Sequence, residues 1–264
     1  MVSNPEMDYV SPALIALAVL AVILLLFYLY VSAVDKVFRT IGLTTAEASI
    51  VILLTLSLGW IPIPFFKYND WVLAISVGGA LIPLIICWLL LRSKRVGHAE
   101  FWIGVVIVSL STFYLTRAEE GVGIVADIPW AFVPAVAAGL YSLSVFWMDI
   151  SKAAPLAYSS GIVGTLIGAD VFHLWEVLEF VPPEEGVMLV IGGANIFDMV
   201  YITGIVAVAV DLVAFRIIKQ QSRFGLGAAV AEFRKGAEGV PYAADRNPAP
   251  TLVPDKKGYL RERR

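Results

Sequence analysis

Seven apolar runs, each close to the ~20 residues a helix needs to cross the hydrocarbon layer, dominate this chain and leave little room for any other solvent than lipid. They are Ser11 to Val34, Thr44 to Phe66, Trp71 to Leu91, Ala99 to Thr116, Ile128 to Met148, Ala154 to Trp175 and Val187 to Phe215. Lipid offers no partner for exposed backbone N–H and C=O groups, so each run is expected to be helical. The first run has too long an apolar core, and too little positive charge ahead of it, for a cleaved signal peptide, and is expected to stay as an anchor. The second opens on Thr44-Thr45-Ala46-Glu47, a helix cap with an acidic first turn, and passes through Pro62 and Pro64. The last is long enough to tilt or to contain a break. A content of 59% hydrophobic and 16% charged residues excludes an ordinary soluble domain. The expected fold is an all-α, polytopic membrane bundle of about seven transmembrane helices.

Sorting the connecting loops onto alternate sides gathers the basic residues on one of them. That side holds Lys36, Arg39, Arg92, Lys94, Arg95 and Lys152, and the tail after Phe215 adds 11 more. The opposite side has Lys67 and Arg117, with no basic residue in the first ten positions or between Glu176 and Gly186. By the positive-inside rule the N-terminus lies outside and the C-terminus in the cytoplasm. Residues 1–215 then form a transmembrane domain. Residues 216–264 form a basic cytoplasmic tail, polar, then Gly-rich and Pro-rich, and expected to be partly disordered. Its charges are either solvated or touch anionic lipid. The lipid bilayer is the expected partner and nucleic acid is not; a homo-oligomer is left open. The only cysteine, Cys87, lies within an apolar run and is expected to pack as a small hydrophobe.

The third and seventh runs share a pattern. Ser76-Val77-Gly78-Gly79-Ala80-Leu81-Ile82 in one matches Val190-Ile191-Gly192-Gly193-Ala194-Asn195-Ile196 in the other, and both runs enter from outside. This suggests three helices, a linker helix and three more, related as parallel repeats by an axis along the membrane normal. Matching Gly-interrupted segments in two halves point to a binding site near the midplane. Small residues also let membrane helices pack closely, so the match has a purely structural explanation as well.

Two carboxylates lie inside the apolar runs, at a cost of about 2.5–3.5 kcal/mol each on insertion scales. Asp170 belongs to GTLIGADVFHL in the sixth run and Asp198 to GGANIFDMVYITG in the seventh. A short loop joins these runs, so the two carboxyls are expected to be neighbours that share a proton. Such a pair suits proton or cation coupling in transport, or water activation for peptide cleavage. Alternatively each aspartate ties down a broken helix by accepting backbone N–H bonds. Gly78, Gly79, Thr165, Gly192, Gly193 and Asn195 are the candidate solute-binding residues around them.

Other polar residues carry weaker signals. His173 follows Asp170 by three positions, but a lone Asp/His pair is poor evidence for a metal, and neither metal nor cofactor is expected. Glu176 and Glu179 read as solvated charge, and Tyr158 and Thr203 as interhelical hydrogen bonders. Asp211, one turn before Arg216, reads as half of an interfacial ion pair, and Asp127, after Gly121-Val122-Gly123, as a turn or cap residue. No HExxH, GxxxxGK[ST] or GxSxG motif is present. A retinal protein would need a lysine in its last helix, and Val187 to Phe215 has none.

Over roughly Phe38 to Ala214 the chain resembles the prokaryotic membrane family catalogued as domain of unknown function 1614. The resemblance rests on SVGGALIP (Ser76 to Pro83), GVGI (Gly121 to Ile124), APLAYSSGIVGTLIGAD (Ala154 to Asp170) and GGANIFDMVYITGI (Gly192 to Ile205). It departs at Asn195 and Met199, which stand where small glycines are usual, and at Ile61-Pro62-Ile63-Pro64 in place of Ile-Asn-Ile-Pro. The resemblance implies an inner-membrane location in a prokaryote and no established activity. The functional expectation is therefore a transporter or channel-like protein for a small solute or ion, with Asp170 and Asp198 as the coupling pair. The first alternative is an intramembrane aspartyl protease; Gly168-Ala169-Asp170 falls short of its GxGD pattern, and Pro155-Leu156-Ala157 only scrambles its PAL motif. The second is a membrane scaffold or assembly factor.

Overall fold

A computed structural model describes residues 12–147, 149–182, 186–193, 199–238, 252–254 and 260–262, with side chains for 14–220 of these. The chain divides into two compact units, 1–216 and 217–264. Within the second, Leu252–Pro254 pairs antiparallel with Leu260–Glu262.

The first unit is mostly helical, as its apolar runs require. Its helices are α1 (Pro12–Ile41), α2 (Thr45–Leu58), α3 (Ile82–Arg92), α4 (His98–Leu115), α5 (Val133–Val145), α6 (Ile150–Leu166) and α7 (Leu174–Glu179). The eighth, α8, spans Met199–Glu238 and crosses the boundary between the units. Among the described residues four helices are long and apolar enough to cross a membrane: Leu14–Ile41, His98–Leu115, Ile150–Glu179 and Met199–Gln220. They mark the chain as a membrane protein. Thr45–Leu58, Val77–Arg92 and Trp130–Val145 are apolar but shorter. Helix α8 runs past Phe215, where the composition turns polar, because the Ala, Gln, Lys, Arg and Glu that follow still favour helix and no proline intervenes before Pro241.

Three of the seven expected helices prove to be part strand. The second stops at Leu58, and Pro62–Tyr68 is strand β1; the third begins as strand β2, Trp71–Ser76; the seventh begins as β5, Met188–Ile191. Pro62 and Pro64 cannot continue a helix, since each lacks an N–H and its ring crowds the carbonyl four residues back. Both sit on β1, the edge strand of the order β1-β2-β5, where a missing donor is tolerated. Asn69-Asp70 closes the β1–β2 hairpin, with Asn69 in the left-handed region at φ 49°. Strand β5 adds parallel to β2, pairing Ala74 with Val190 and Ile75 with Ile191. A second hairpin joins β3 (Thr116–Glu119) to β4 (Gly123–Ala126). Trp71 and Leu73 of β2 bury against Val177 of α7 in a small core of their own, with Ile124 of β4 and Leu189 of β5 packed on it.

Helix α6 is the centre of the main core. Thirteen of its 17 residues are buried, on all sides, which is how a helix surrounded by others must read. Gly164, and Gly168 just past its end, admit α4 at backbone distance: a Cβ on Gly164 would stand 3.1 Å from the Val105 carbonyl, and one on Gly168 would strike the Ser109 carbonyl. Gly104 meets Ser160 in the same way, so the contact advances together along both helices and α4 and α6 run parallel. Gly139 of α5 lies as closely against Ala207 and Val210 of α8. At the other end Arg95 donates to the Ile41 carbonyl at 3.1 Å, bringing the α3–α4 loop to the end of α1. The expected cap of α2 is present: the Thr44 hydroxyl accepts the Glu47 N–H at 3.3 Å and the Glu47 carboxylate accepts the Thr44 N–H at 2.7 Å.

Candidate functional site

Of the two matching Gly-Gly segments, the first forms a single π turn and Gly192-Gly193 follows strand β5 as a turn; a second π turn lies in the Asp170 segment. The first π turn covers Val77–Leu81, between β2 and α3; the second covers Ile167–Val171, at the end of α6, and carries Asp170. A π turn inserts a residue into the hydrogen-bond ladder, and such insertions collect at functional sites. The glycines mark a weak point in each helix, but nothing in the residue pattern says that the break takes the form of a π turn.

Each turn is pinned by a side chain. The Ser76 hydroxyl accepts the Gly79 N–H at 3.1 Å and donates to the Gly59 carbonyl at 3.1 Å, tying the first turn to the end of α2. Ser76 appears in the first Gly-Gly motif but was not among the expected site residues. In the second turn His173 lies buried against the Phe113 ring, and its Nδ1–H serves the Ala169 carbonyl at 3.1 Å and the Gly168 carbonyl at 3.3 Å. Carbonyl oxygens only accept, so Nδ1 must carry the proton. His173 is thus a hydrogen-bonding residue, and among the described residues no group of three or more His, Cys, Asp or Glu forms a metal site.

The turns meet at Gly192. The chain leaves β5 there with φ +68°, a conformation that suits glycine, and passes so close to the first turn that a Cβ would stand 2.9 Å from the Ala80 nitrogen. The Gly192 N–H then donates to the Asp170 carboxylate of the second turn at 3.1 Å. One glycine therefore bridges the two segments. Of the expected solute-binding residues, Gly78 and Gly79 are buried in the first turn. Thr165 is buried one turn before the second, its hydroxyl without a hydrogen-bond partner among the described residues. Gly193 follows at the mouth of a cleft. Asn195 and Asp198 lie outside the described residues, and the expected pairing of Asp170 with Asp198 lies outside them too.

Asp170 is half-buried and borders two clefts. One, of about 390 Å³, is lined by Ile124, Leu174, Leu189, Ile191 and Gly193 besides Asp170. The other, of about 290 Å³, is lined by Thr116, Ile124, Ile128, Phe132 and Ile202 besides Asp170. Strand β4 lines both, through Ile124. The base of that hairpin is fixed by charge: Arg117 holds Asp127 through two bonds, at 2.7 and 3.2 Å, and Glu119 through a third at 2.8 Å. The guanidinium keeps the Asp127 carboxyl below its usual range, and both acids push the Arg117 guanidinium up. Asp127 is therefore an ion-pair partner and not only a turn residue.

Asp211 corrects another expectation. It makes no ion pair with Arg216; its side chain is fully buried against α5, where both carboxyl oxygens lie 2.9 Å from the Ser142 hydroxyl. Cys87 is buried, as expected, with its sulfur 3.9 Å from the Ser159 carbonyl.

The segments that build the site fall within the part of the chain that a family model matches. A family model described as protein of unknown function (DUF1614) matches residues 29–210, well over half of the chain. The chain belongs to this family. The DUF1614 match takes in both π turns, both hairpins, Asp170 and Gly192, and ends one residue before Asp211. No curated protein and no solved structure matches the chain.

Proposed function

We propose that this DUF1614 protein is a multi-pass transporter or channel-like protein of the prokaryotic inner membrane, in which Asp170 binds the proton or cation that couples solute movement. The observation that carries the reading is the placement of Asp170. A carboxylate on a helix interruption, bordered by two clefts and bonded to a Gly-Gly segment that itself packs against the matching segment at Gly79-Ala80, has the features of a site between repeats. Non-helical backbone at membrane depth is tolerated where it lines a cavity, and the second interruption borders both clefts through Asp170.

Seven passes, with the N-terminus outside, fit the directions of the helices. Because α4 and α6 run parallel, the segment between them returns the chain across the bundle although only Val133–Val145 of it is α-helical. The three short helices then complete their passes with strands and turns. Both strand–Gly-Gly–helix units, β2 to α3 and β5 to α8, start from neighbouring parallel strands, which supports a parallel repeat. Helix α1 exposes residues Leu14 to Leu29 on every face, as a lipid-facing anchor does.

The test is ion flux into proteoliposomes loaded with a pH-sensitive dye. Protein-dependent proton flux under an imposed gradient is expected for the wild type and is lost in Asp170→Asn. Unchanged flux in that variant overturns the assignment; intact flux with loss of cleavage of a model transmembrane substrate turns it toward a protease.

A further inference from the structure

Asp211 and Ser142 are both fully buried, on α8 and α5, and three oxygens crowd one hydroxyl. The Ser142 Oγ lies 2.8 Å from the Gly139 carbonyl oxygen, and 2.9 Å from each of the Asp211 carboxyl oxygens. A serine has one proton to donate. If that proton goes to Gly139, the Ser142 oxygen is an acceptor, and the short approach of Asp211 requires a proton on the carboxyl. If it goes to Asp211 instead, a carboxylate is left in the core with a single neutral donor, and a buried charge with so little support costs several kcal/mol on the order of a lost ion pair.

Among the described residues no counter-charge pairs with Asp211. Helix α5 contains no Lys, Arg, Asp or Glu, and its one titratable group, Tyr141, donates to the Glu100 carbonyl at 2.8 Å. On α6, which also packs against α8, Lys152 is exposed beside Asp149 at 3.6 Å and Tyr158 is buried toward Phe38. Arg216 of α8 makes no ion pair with Asp211. The helices also approach closely here: Gly139 sits against Ala207 and Val210, with a Cβ there 2.9 Å from Val210 Cγ1, one turn before Ser142 and Asp211.

We propose that Asp211 is a proton-binding site of the membrane domain, a carboxylic acid that donates to Ser142, which in turn donates to the Gly139 carbonyl. The site is separate from Asp170 and does not rest on the reading of that residue. It places an exchangeable proton between α5 and α8, in a hydrogen-bonded chain running from a side-chain acid to helix backbone. One proton is bound per carboxyl and returned to water when the α5–α8 contact opens; no other group changes its charge.

The experiment is infrared spectroscopy of the full chain reconstituted in lipid. A protonated-carboxyl C=O band is expected in the wild type. Asp211→Asn, whose amide can still donate to Ser142, removes that band with the protein folded, and Ser142→Ala shifts it to higher frequency by removing the acceptor. Carbon-13 labelling of aspartate must move the same band, and the Ser142→Ala shift then assigns it to Asp211 even if Asp211→Asn fails to fold. Loss of a carboxylate band instead of an acid band in Asp211→Asn, or an acid band that Ser142→Ala leaves in place, overturns the proposal.

Discussion

A Cβ placed on Gly192 would stand 2.8 Å from the Cβ of Ala80, closer than real side chains approach, so these two residues fix how near the two Gly-Gly segments can lie. Gly192→Ala must both relieve that contact and adopt φ +68°. Strain of this kind costs about 1–3 kcal/mol. Thermal unfolding in detergent is expected to show a clearly lowered Tm; a wild-type Tm would mean that the segments are free to part.

Asp170 holds Gly192 through an oxygen that asparagine also possesses. Asp170→Asn is therefore expected to keep the fold, whereas Asp170→Ala leaves the Gly192 N–H without its acceptor, at about 1–3 kcal/mol. Comparing the two melting curves separates the hydrogen bond from the charge. Equal destabilisation of both variants would show that the bond is not what the carboxylate supplies.

The Arg117–Asp127 pair lies past the end of α4, outside the four candidate spans, and is exposed on both sides, with 55% and 63% of the two side chains accessible. Because the folded protein holds the Asp127 carboxyl low, the pair supports the hairpin above the ordinary aspartate value, about 3.9, and that support is lost as the pH falls through the lowered folded value. Arg117→Gln is expected to return the Asp127 titration to the ordinary range, followed by NMR of the side-chain carboxyl. High salt should weaken the effect, as it does for exposed pairs.

Orientation can be read with single cysteines in a Cys87→Ser background. Glu120→Cys, at the β3–β4 turn, is expected to react with an impermeant maleimide on intact cells. Lys94→Cys, in the α3–α4 loop beside α1, should react only after permeabilisation. The reverse pattern would invert the assigned topology.

Much of the architecture was legible because lipid imposes it. Apolar length gave the membrane class, Thr44 and Glu47 gave the start of α2, and the motifs around Gly78, Asp170 and Gly192 gave the family. The strands were missed for a definite reason: Trp71 to Ser76 is apolar throughout, and a buried strand cannot be told from a helix by such a run alone. Pro62 and Pro64 were the available clue, since a helix does not pass easily through two prolines two residues apart.

The site was half legible. An aspartate within an apolar segment is visible in sequence, but its partner Gly192 stands 22 residues away and reaches it only because β5 pairs with β2. The same holds for Asp211: its spacing from Arg216 suggested an ion pair, and only the close approach of α5 at Gly139 delivers Ser142 in place of that partner. By itself the sequence determined which segments must leave water and which carboxylates go with them, because those follow from local composition and the cost of transfer. The tertiary structure alone decided what each carboxylate meets, because a hydrogen bond is settled within a few tenths of an ångström by how distant backbones pack.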